Sequence, residues 1–356
     1  MTLINLCERL VKKGHQCIVL TINQENSHDI DESINGVEVR RIGSPISKYL
    51  YGLSPAIYRF IKNGGKALIS KMDIVHIHCY SNLLSLEAVY LTQNMGKPVL
   101  FTPHYHPLGH TPFTNFLRKL YKPVGGRIFK RVDKVICVSE RESMILQRDF
   151  PIDKSGIRVI PHGVGVSQIE TRVRKGSSAS LISLLYVGRL TEHKGVHHIL
   201  AAMRKLIDVY QLDPRLEIIG YGPEKRALEH MAHDLGLENR ILWNERVSEQ
   251  DLWQRYEQAD IFLLLSWAEA YGLVVAEALA YGTPCIVADT GALSEFVAQP
   301  GCFGVEYPPD PENLAALILR IHTSDIQIGP FDINKIRTWD RVVDEYEKLY
   351  QETIQI

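Results

Sequence analysis

Short apolar runs alternate with amphipathic stretches along the whole chain. The runs CIVLT (17–21), IVHIH (74–78), PVLFT (98–102) and KVICVS (134–139) read as strands in the first half. LISLLYVG (181–188), LEIIG (216–220), RILWN (240–244), IFLLLS (261–266) and PCIVAD (284–289) read as strands in the second. The runs are continuous and rich in β-branched residues, which predicts strands covered by helices on both faces. Strands that alternate with helical stretches build βαβ units, so the expected class is α/β, with two doubly wound, Rossmann-like domains and a cleft between them. Residues 166–180, VSQIETRVRKGSSAS, are polar and end in small residues, the composition of an interdomain linker. The expected domains are therefore 1–165 and 181–339. In the tail, 340–356, Val342, Val343, Tyr346, Leu349 and Tyr350 fall at the spacing of an amphipathic helix.

Composition sharpens this picture only in places. A chain of 356 residues suits two domains better than one. Forty Lys and Arg against 41 Asp and Glu leave a net charge of -1, which argues against sequence-independent nucleic-acid binding. The six cysteines are scattered with no C-x-x-C pair, so neither a disulfide framework nor a zinc knuckle is expected, and a reducing, cytoplasmic compartment fits. The most apolar stretch, from Ile261, is interrupted by Glu269, Gly272 and Glu277, unlike a membrane span. In the opening MTLINLCERLVKK the lysines follow the apolar residues, unlike a signal peptide. Any membrane contact is expected to be peripheral, at the inner face.

In doubly wound sheets ligands bind beyond the carboxyl ends of the strands, at loops entering helices. Arg189 and Lys194 follow the strand ending near Val187, where two cations would meet an anion or simply be solvated. After LEIIG comes Gly220-Tyr221-Gly222-Pro223, which either lets a ligand approach the backbone or is plain turn chemistry. The segment SWAEAYGLVVAEALAYGTPCIVAD says most. Glu269 lies in the loop after strand 261–266, and Gly272 leads into a helix expected to run through Ala280. The amides of Gly272, Leu273 and Val274 would be free donors at the positive end of that helix, an anion site. Glu277 comes about one turn later, where its carboxylate would accept hydrogen bonds from a diol. Two acids in one apolar run are costly unless used, or unless one caps the helix and the other is paired in the core.

Glu269 and Glu277, with seven residues between them inside E-A-Y-G-L-V-V-A-E-A-L-A-Y-G-T-P, resemble the E-x7-E motif of retaining GT-B glycosyltransferases. More narrowly the chain resembles glycosyltransferase family 4, the group of the glycogen and sucrose synthases. V-G-R-L-T-E-H-K-G is similar to that family's donor-phosphate loop, G-Y-G-P to its second glycine loop, and V-I-P-H-G-V (159–164) to the segment entering its linker. The tail with Trp339 resembles its last helix, which crosses back onto the first domain. The resemblance runs from about residue 5 to the end and implies a GT-B fold. It implies a hexosyltransferase with retention of anomeric configuration, acting in polysaccharide or glycolipid biosynthesis.

The same resemblance implies residue roles. Arg189 and Lys194 would hold the diphosphate of a nucleotide-sugar, aided by Gly222 and the amides of Gly272, Leu273 and Val274. Glu277 would bind the ribose hydroxyls, and Arg246 and Val247 would meet the base. Glu269 would contact the donor sugar near the reacting carbon. T-P-H (102–104) is similar to the family's T-x-H, so His104 would reach the sugar from across the cleft. Two cations and a helix terminus stabilise a leaving diphosphate without a metal. The expected donor is a UDP-, GDP- or ADP-sugar, with no metal and no further cofactor. The expected acceptor is a glycan or a lipid-linked sugar.

Two groups of residues fall outside this scheme. His76 and His78 share one face of a strand, and His104, His106 and His110 follow in a loop. Such grouping suits a metal, but without Cys or H-E-x-x-H the loop is read as shaping the acceptor and sugar pocket. His193, His197 and His198 are expected on an exposed helix. Between residues 118 and 141, Arg118, Lys119, Lys122, Arg127, Lys130, Arg131, Lys134 and Arg141 interleave with Phe116, Leu117, Leu120, Tyr121 and Phe129. This is either a surface for anionic lipid beside a lipid-linked acceptor or an ordinary solvated helix face.

Rival readings are a sugar-nucleotide epimerase on the same fold and a non-catalytic nucleotide-sugar-binding or partner subunit. A glycogen-type phosphorylase would need a longer chain. The subunit reading draws on the opening TLINLCERLVKKGHQCIVLT, which already looks like the family's first helix and second strand. The family's first strand and glycine-rich loop are not seen, so strands 17–21 and 74–78 should either lose a row of backbone partners or close up on one another. The expectation is therefore an amino-terminally incomplete chain, poorly active by itself.

Overall fold

The computed structural model describes residues 2–23, 28–43, 64–80, 83–105, 119–123 and 125–355. Each apolar run read as a strand is one. The chain divides into two units, Met1–His162 with Trp339–Ile356, and Gly163–Thr338.

In the first unit β1 (Ile18–Asn23), β2 (Ile30–Ile34) and β3 (Val37–Gly43) form one sheet. β1 and β3 run parallel, whereas β2 and β3 form a hairpin around Asn35-Gly36, both with positive φ. Asn-Gly is the sequence signal of such a turn. It escaped the apolar reading because four of the five residues of β2 are exposed, leaving no apolar pattern. A second, parallel sheet orders β4 (Val75–His78), β5 (Val99–Thr102), β6 (Lys134–Cys137) and β7 (Ile157–Val159) side by side. β1 and β4 thus belong to separate sheets and share no ladder, so these two strands have not closed up on one another.

The helix Trp339–Ile354 buries Trp339, Val342, Val343, Tyr346 and Leu349. They pack on Leu6 and Leu10 of the helix Thr2–Lys12 and on Leu100 and Ile136 of β5 and β6. Arg9 to Asp340 (3.2 Å) and Lys13 to Asp344 (2.6 Å) run alongside. The apolar spacing read in the tail is the stripe that meets this core.

The second unit holds a six-stranded parallel sheet in the order β11-β10-β9-β12-β13-β14. The strands are β9 (Leu181–Val187), β10 (Asp213–Ile219), β11 (Ile241–Asn244), β12 (Ile261–Leu264), β13 (Cys285–Ala288) and β14 (Cys302–Val305). β12 and β13 are buried along their whole length, which is why their sequences read as unbroken apolar runs. The stretch 166–180, read as a linker, lies inside this unit. Its β8 (Arg172–Arg174) pairs antiparallel with β15 (Ile326–Ile328). Arg174 reaches the carbonyls of Glu257 and Ala259, at 2.9 and 2.8 Å. Polar composition concealed a strand held by its arginines. Among the described residues no helix is long and apolar enough to cross a membrane.

Candidate functional site

The strand order decides where chemistry gathers in the second unit. The chain moves outward from β9 to β10 and β11, then returns to the other side of β9 with β12. That reversal is a topological switch point, where loops at the carboxyl ends part to leave a crevice. Arg189 and Lys194 follow β9, Gly222 follows β10, Arg246 and Val247 follow β11, and Glu269 and Gly272 follow β12. These residues thus stand beyond the ends of four adjacent strands, and Leu273, Val274 and Glu277 lie in the helix Leu273–Ala280 that follows.

Each loop is fixed by its own contacts. Fully buried Tyr186 donates its hydroxyl to the Arg189 carbonyl (2.9 Å), leaving the Arg189 side chain exposed. Lys194 closes a short 3-10 turn, Glu192–Lys194, before the helix Val196–Asp208. The Trp267 amide bonds the His193 carbonyl (3.1 Å), drawing this turn onto the loop after β12. There Lys194 Nζ meets Glu269 Oε1, with only 18% and 14% of the two side chains exposed. Sequence reading gave these residues separate duties, and the fold joins them as an ion pair.

Gly222 lies against the loop after β9, where a Cβ would run into the Leu190 carbonyl oxygen. The two loops are laced by Leu190 N to Tyr221 O (2.9 Å) and Glu224 N to Leu190 O (3.2 Å). The glycine is therefore explained first by close backbone packing. Between these glycines Tyr221 is 54% exposed, and the Arg246 guanidinium stands 5.3 Å from its ring centroid. Val247 directly precedes Ser248, whose hydroxyl caps the helix Glu249–Gln258 by accepting from the Asp251 amide (3.1 Å).

Gly272 caps the helix Leu273–Ala280 with φ 108°, a left-handed backbone. A Cβ there would also press on Leu293 Cδ2, at 2.7 Å, but the left-handed backbone is what favours glycine. The preceding Tyr271 is buried and anchored through its hydroxyl to the Lys335 carbonyl (2.6 Å). The first amides of a helix have no partner within it, and together with the helix dipole they favour an anion. Glu277, one turn in, accepts from Tyr256 through Oε2 at 3.0 Å. Burial pushes its carboxyl up to about 7 against the pull of that hydrogen bond. Its partner in the core is thus a buried phenol.

In the first unit His104 sits just beyond β5 with φ 47°. Its Nε2 lies 3.3 Å from His78 Nδ1. His76 is held on both sides, by the Tyr350 hydroxyl and the Thr102 hydroxyl, each at 2.8 Å. His162 stands 5.8 Å from His104, ring to ring. Burial lowers all four; His76 and His162 fall to about 3, so these rings are neutral at ordinary pH. Among the described residues no group of three potential ligands could hold a metal. His106 and His110 lie outside the described residues.

Two expectations need correcting. His193 lies in the 3-10 turn before the helix Val196–Asp208, and all three histidines are half-buried, with the His198 ring packed edge-on against Tyr307 at 5.6 Å. The basic stretch is not one helix face. Phe129 joins the core, Arg131 stacks on Tyr90 at 4.0 Å, and Lys134 begins β6. Lys119, Leu120, Lys122, Arg127 and Lys130 remain exposed. Arg118, Phe116 and Leu117 lie outside the described residues.

Sequence reading missed Tyr186 and Tyr256. A buried phenol must find an acceptor, but Tyr256 sits in a polar helix, Glu249–Gln258, whose sequence gives no sign that it is buried.

Comparisons with known proteins agree with this architecture. Residues 1–168 match the family described as Glycosyltransferase Family 4, and residues 167–327 match Glycosyl transferases group 1. An uncharacterized glycosyltransferase of Methanocaldococcus jannaschii is 26% identical, over 97% of this chain and 92% of that protein. The gpi3 subunit of phosphatidylinositol N-acetylglucosaminyltransferase from Schizosaccharomyces pombe is 24% identical, over 98% of this chain and 76% of that one. Among solved structures, sucrose-phosphate synthase from Thermosynechococcus elongatus superposes with a TM-score of 0.75 at 21% identity, covering 98% of this chain and 91% of that one. HepE of Anabaena, solved with UDP and glucose, gives 0.72 at 15%, covering 99% and 95%. With both halves matched in order and the fold shared along its length, the chain belongs to glycosyltransferase family 4 and is a glycosyltransferase of the GT-B fold.

Proposed function

We propose that the protein moves a hexose from a nucleoside-diphosphate sugar to a glycan or lipid-linked acceptor, with retention of anomeric configuration. The observation that carries this reading is the convergence at the switch point. Exposed Arg189, the Lys194–Glu269 pair and the start of the helix Leu273–Ala280 lie at the ends of adjacent β9 and β12. In this reading Arg189, Lys194 and the amides of Gly272, Leu273 and Val274 stabilise charge on the leaving diphosphate, a preorganised electrostatic role. Glu277 binds the ribose diol, Arg246 and Val247 meet the base beside Tyr221, Gly222 keeps the backbone close, and Glu269 acts at the sugar. His104 takes part in the transfer step and not in holding the nucleotide. No metal or further cofactor enters the scheme.

Exposed Lys119, Leu120, Lys122, Arg127 and Lys130 support a lipid-linked acceptor held at an anionic surface. The gpi3 relative, named for transfer to phosphatidylinositol, points the same way.

The test is a thermal-shift screen of UDP-, GDP- and ADP-sugars, followed by turnover with the stabilising donor. Wild type should be stabilised by one nucleotide class and Arg189→Ala should lower turnover strongly with its fold intact. Near-wild-type turnover in that variant would remove the site assignment. Binding without sugar transfer or donor hydrolysis would favour a non-catalytic subunit.

A further inference from the structure

Tyr256 is fully buried in the last turn of the helix Glu249–Gln258. Its ring stacks on Tyr281 at 6.0 Å and meets Phe262 edge-on at 5.8 Å. Its backbone carbonyl accepts from the buried Thr283 hydroxyl. Ring and backbone are thus both held, and the hydroxyl has one acceptor, Oε2 of Glu277. Glu277 itself is half-buried, and among the described residues its other oxygen has no hydrogen bond.

Of the groups facing Glu277, Glu249 disfavours its charge and Tyr256 favours it. Glu249, on the helix of Tyr256, raises its carboxyl, and burial does so more. Tyr281 closes its own helix and Tyr271 precedes that helix, both neutral phenols. No lysine, arginine or histidine pairs with it among the described residues. The Tyr256 hydroxyl alone supports the carboxylate.

We infer that Tyr256 is a positioning residue for donor binding: its hydroxyl occupies Oε2 of Glu277 and leaves Oε1 to accept hydrogen bonds from a vicinal diol. The inference rests on the proposed role of Glu277 at the ribose. A carboxylate with one oxygen tied down offers the diol a fixed acceptor, which lowers the ordering cost of binding.

The experiment measures dissociation constants of UDP, GDP and ADP by calorimetry between pH 6 and pH 9. It uses the full chain as wild type, Tyr256→Phe and Glu277→Gln. Phenylalanine keeps the stack on Tyr281 and Phe262, so the fold is retained. Wild-type affinity should strengthen as pH rises through about 7, beyond the diphosphate's own titration, which Glu277→Gln reports. In Tyr256→Phe the midpoint should move up by about one pH unit. The change in ionisation should then weaken affinity about fivefold at pH 7, and by pH 9 only the smaller loss from the unfixed acceptor should remain. A Tyr256→Phe profile superimposed on wild type overturns the inference. Glu277→Gln binding like wild type at every pH would instead remove the role of Glu277 itself.

Discussion

Replacing Lys194 with alanine separates catalysis from stability in one site. Lys194 and Glu269 keep only 18% and 14% of their side chains exposed, so removing the lysine strands a carboxylate where water reaches it poorly. Breaking a buried pair by removing one partner costs about 3–5 kcal/mol. The residual exposure of both groups places this case near 3 kcal/mol, about the low end of that range. Lys194→Ala should also lose a charge-assisted contact to the leaving diphosphate, worth about 1.5–3 kcal/mol, or roughly 10- to 150-fold in turnover. The double variant Lys194→Ala/Glu269→Gln removes the stranded charge. It should therefore recover most of the stability while remaining at least as slow as the single variant. Denaturant melts give the first quantity, and sugar transfer with saturating donor gives the second. Transfer by Lys194→Ala at near-wild-type rate would refute the diphosphate role. A double variant no more stable than the single one would refute the stranded-charge argument.

Glu277→Gln should weaken nucleoside-diphosphate binding more than Glu269→Gln, which should instead slow the transfer step; the reverse order of dissociation constants would sink this division of labour. The Glu277 carboxyl is raised in the fold from 4.5 to about 7, so its contribution to stability is full below pH 4.5 and is lost as pH rises through about 7. Glu277→Gln should accordingly gain stability on wild type between these values, by up to about 3 kcal/mol at pH 8, and parallel melting curves against pH would contradict it. His104→Ala should reduce transfer and leave free-nucleotide affinity unchanged; equal loss of both would give this histidine another role. Charge reversal at exposed Lys119 and Arg127 should lower pelleting with phosphatidylserine vesicles, and unchanged pelleting removes the lipid-surface reading.

The amino-acid sequence determined the local layer of this protein. Apolar runs located β1, β4, β5, β6 and β9 to β13, most directly where a strand buried on both faces must be apolar throughout, as in β12 and β13. Gly272 before an apolar helix located that helix's start, since a left-handed cap is costly for residues with a Cβ and cheap for glycine. Where burial did not pattern the residues, the sequence was mute: β2 is exposed and β8 is polar, and both are held by pairing with distant or turned-back chain. Only the tertiary structure decided which strands are neighbours, and hence that loops after β9, β10, β11 and β12 share one edge. It alone joined Lys194 to Glu269, 75 positions apart, and Tyr256 to Glu277, 21 apart. Periodicity records whether a side chain is buried. The partner that makes its burial affordable comes from another part of the chain, so a charged group's duty is settled by the fold that surrounds it.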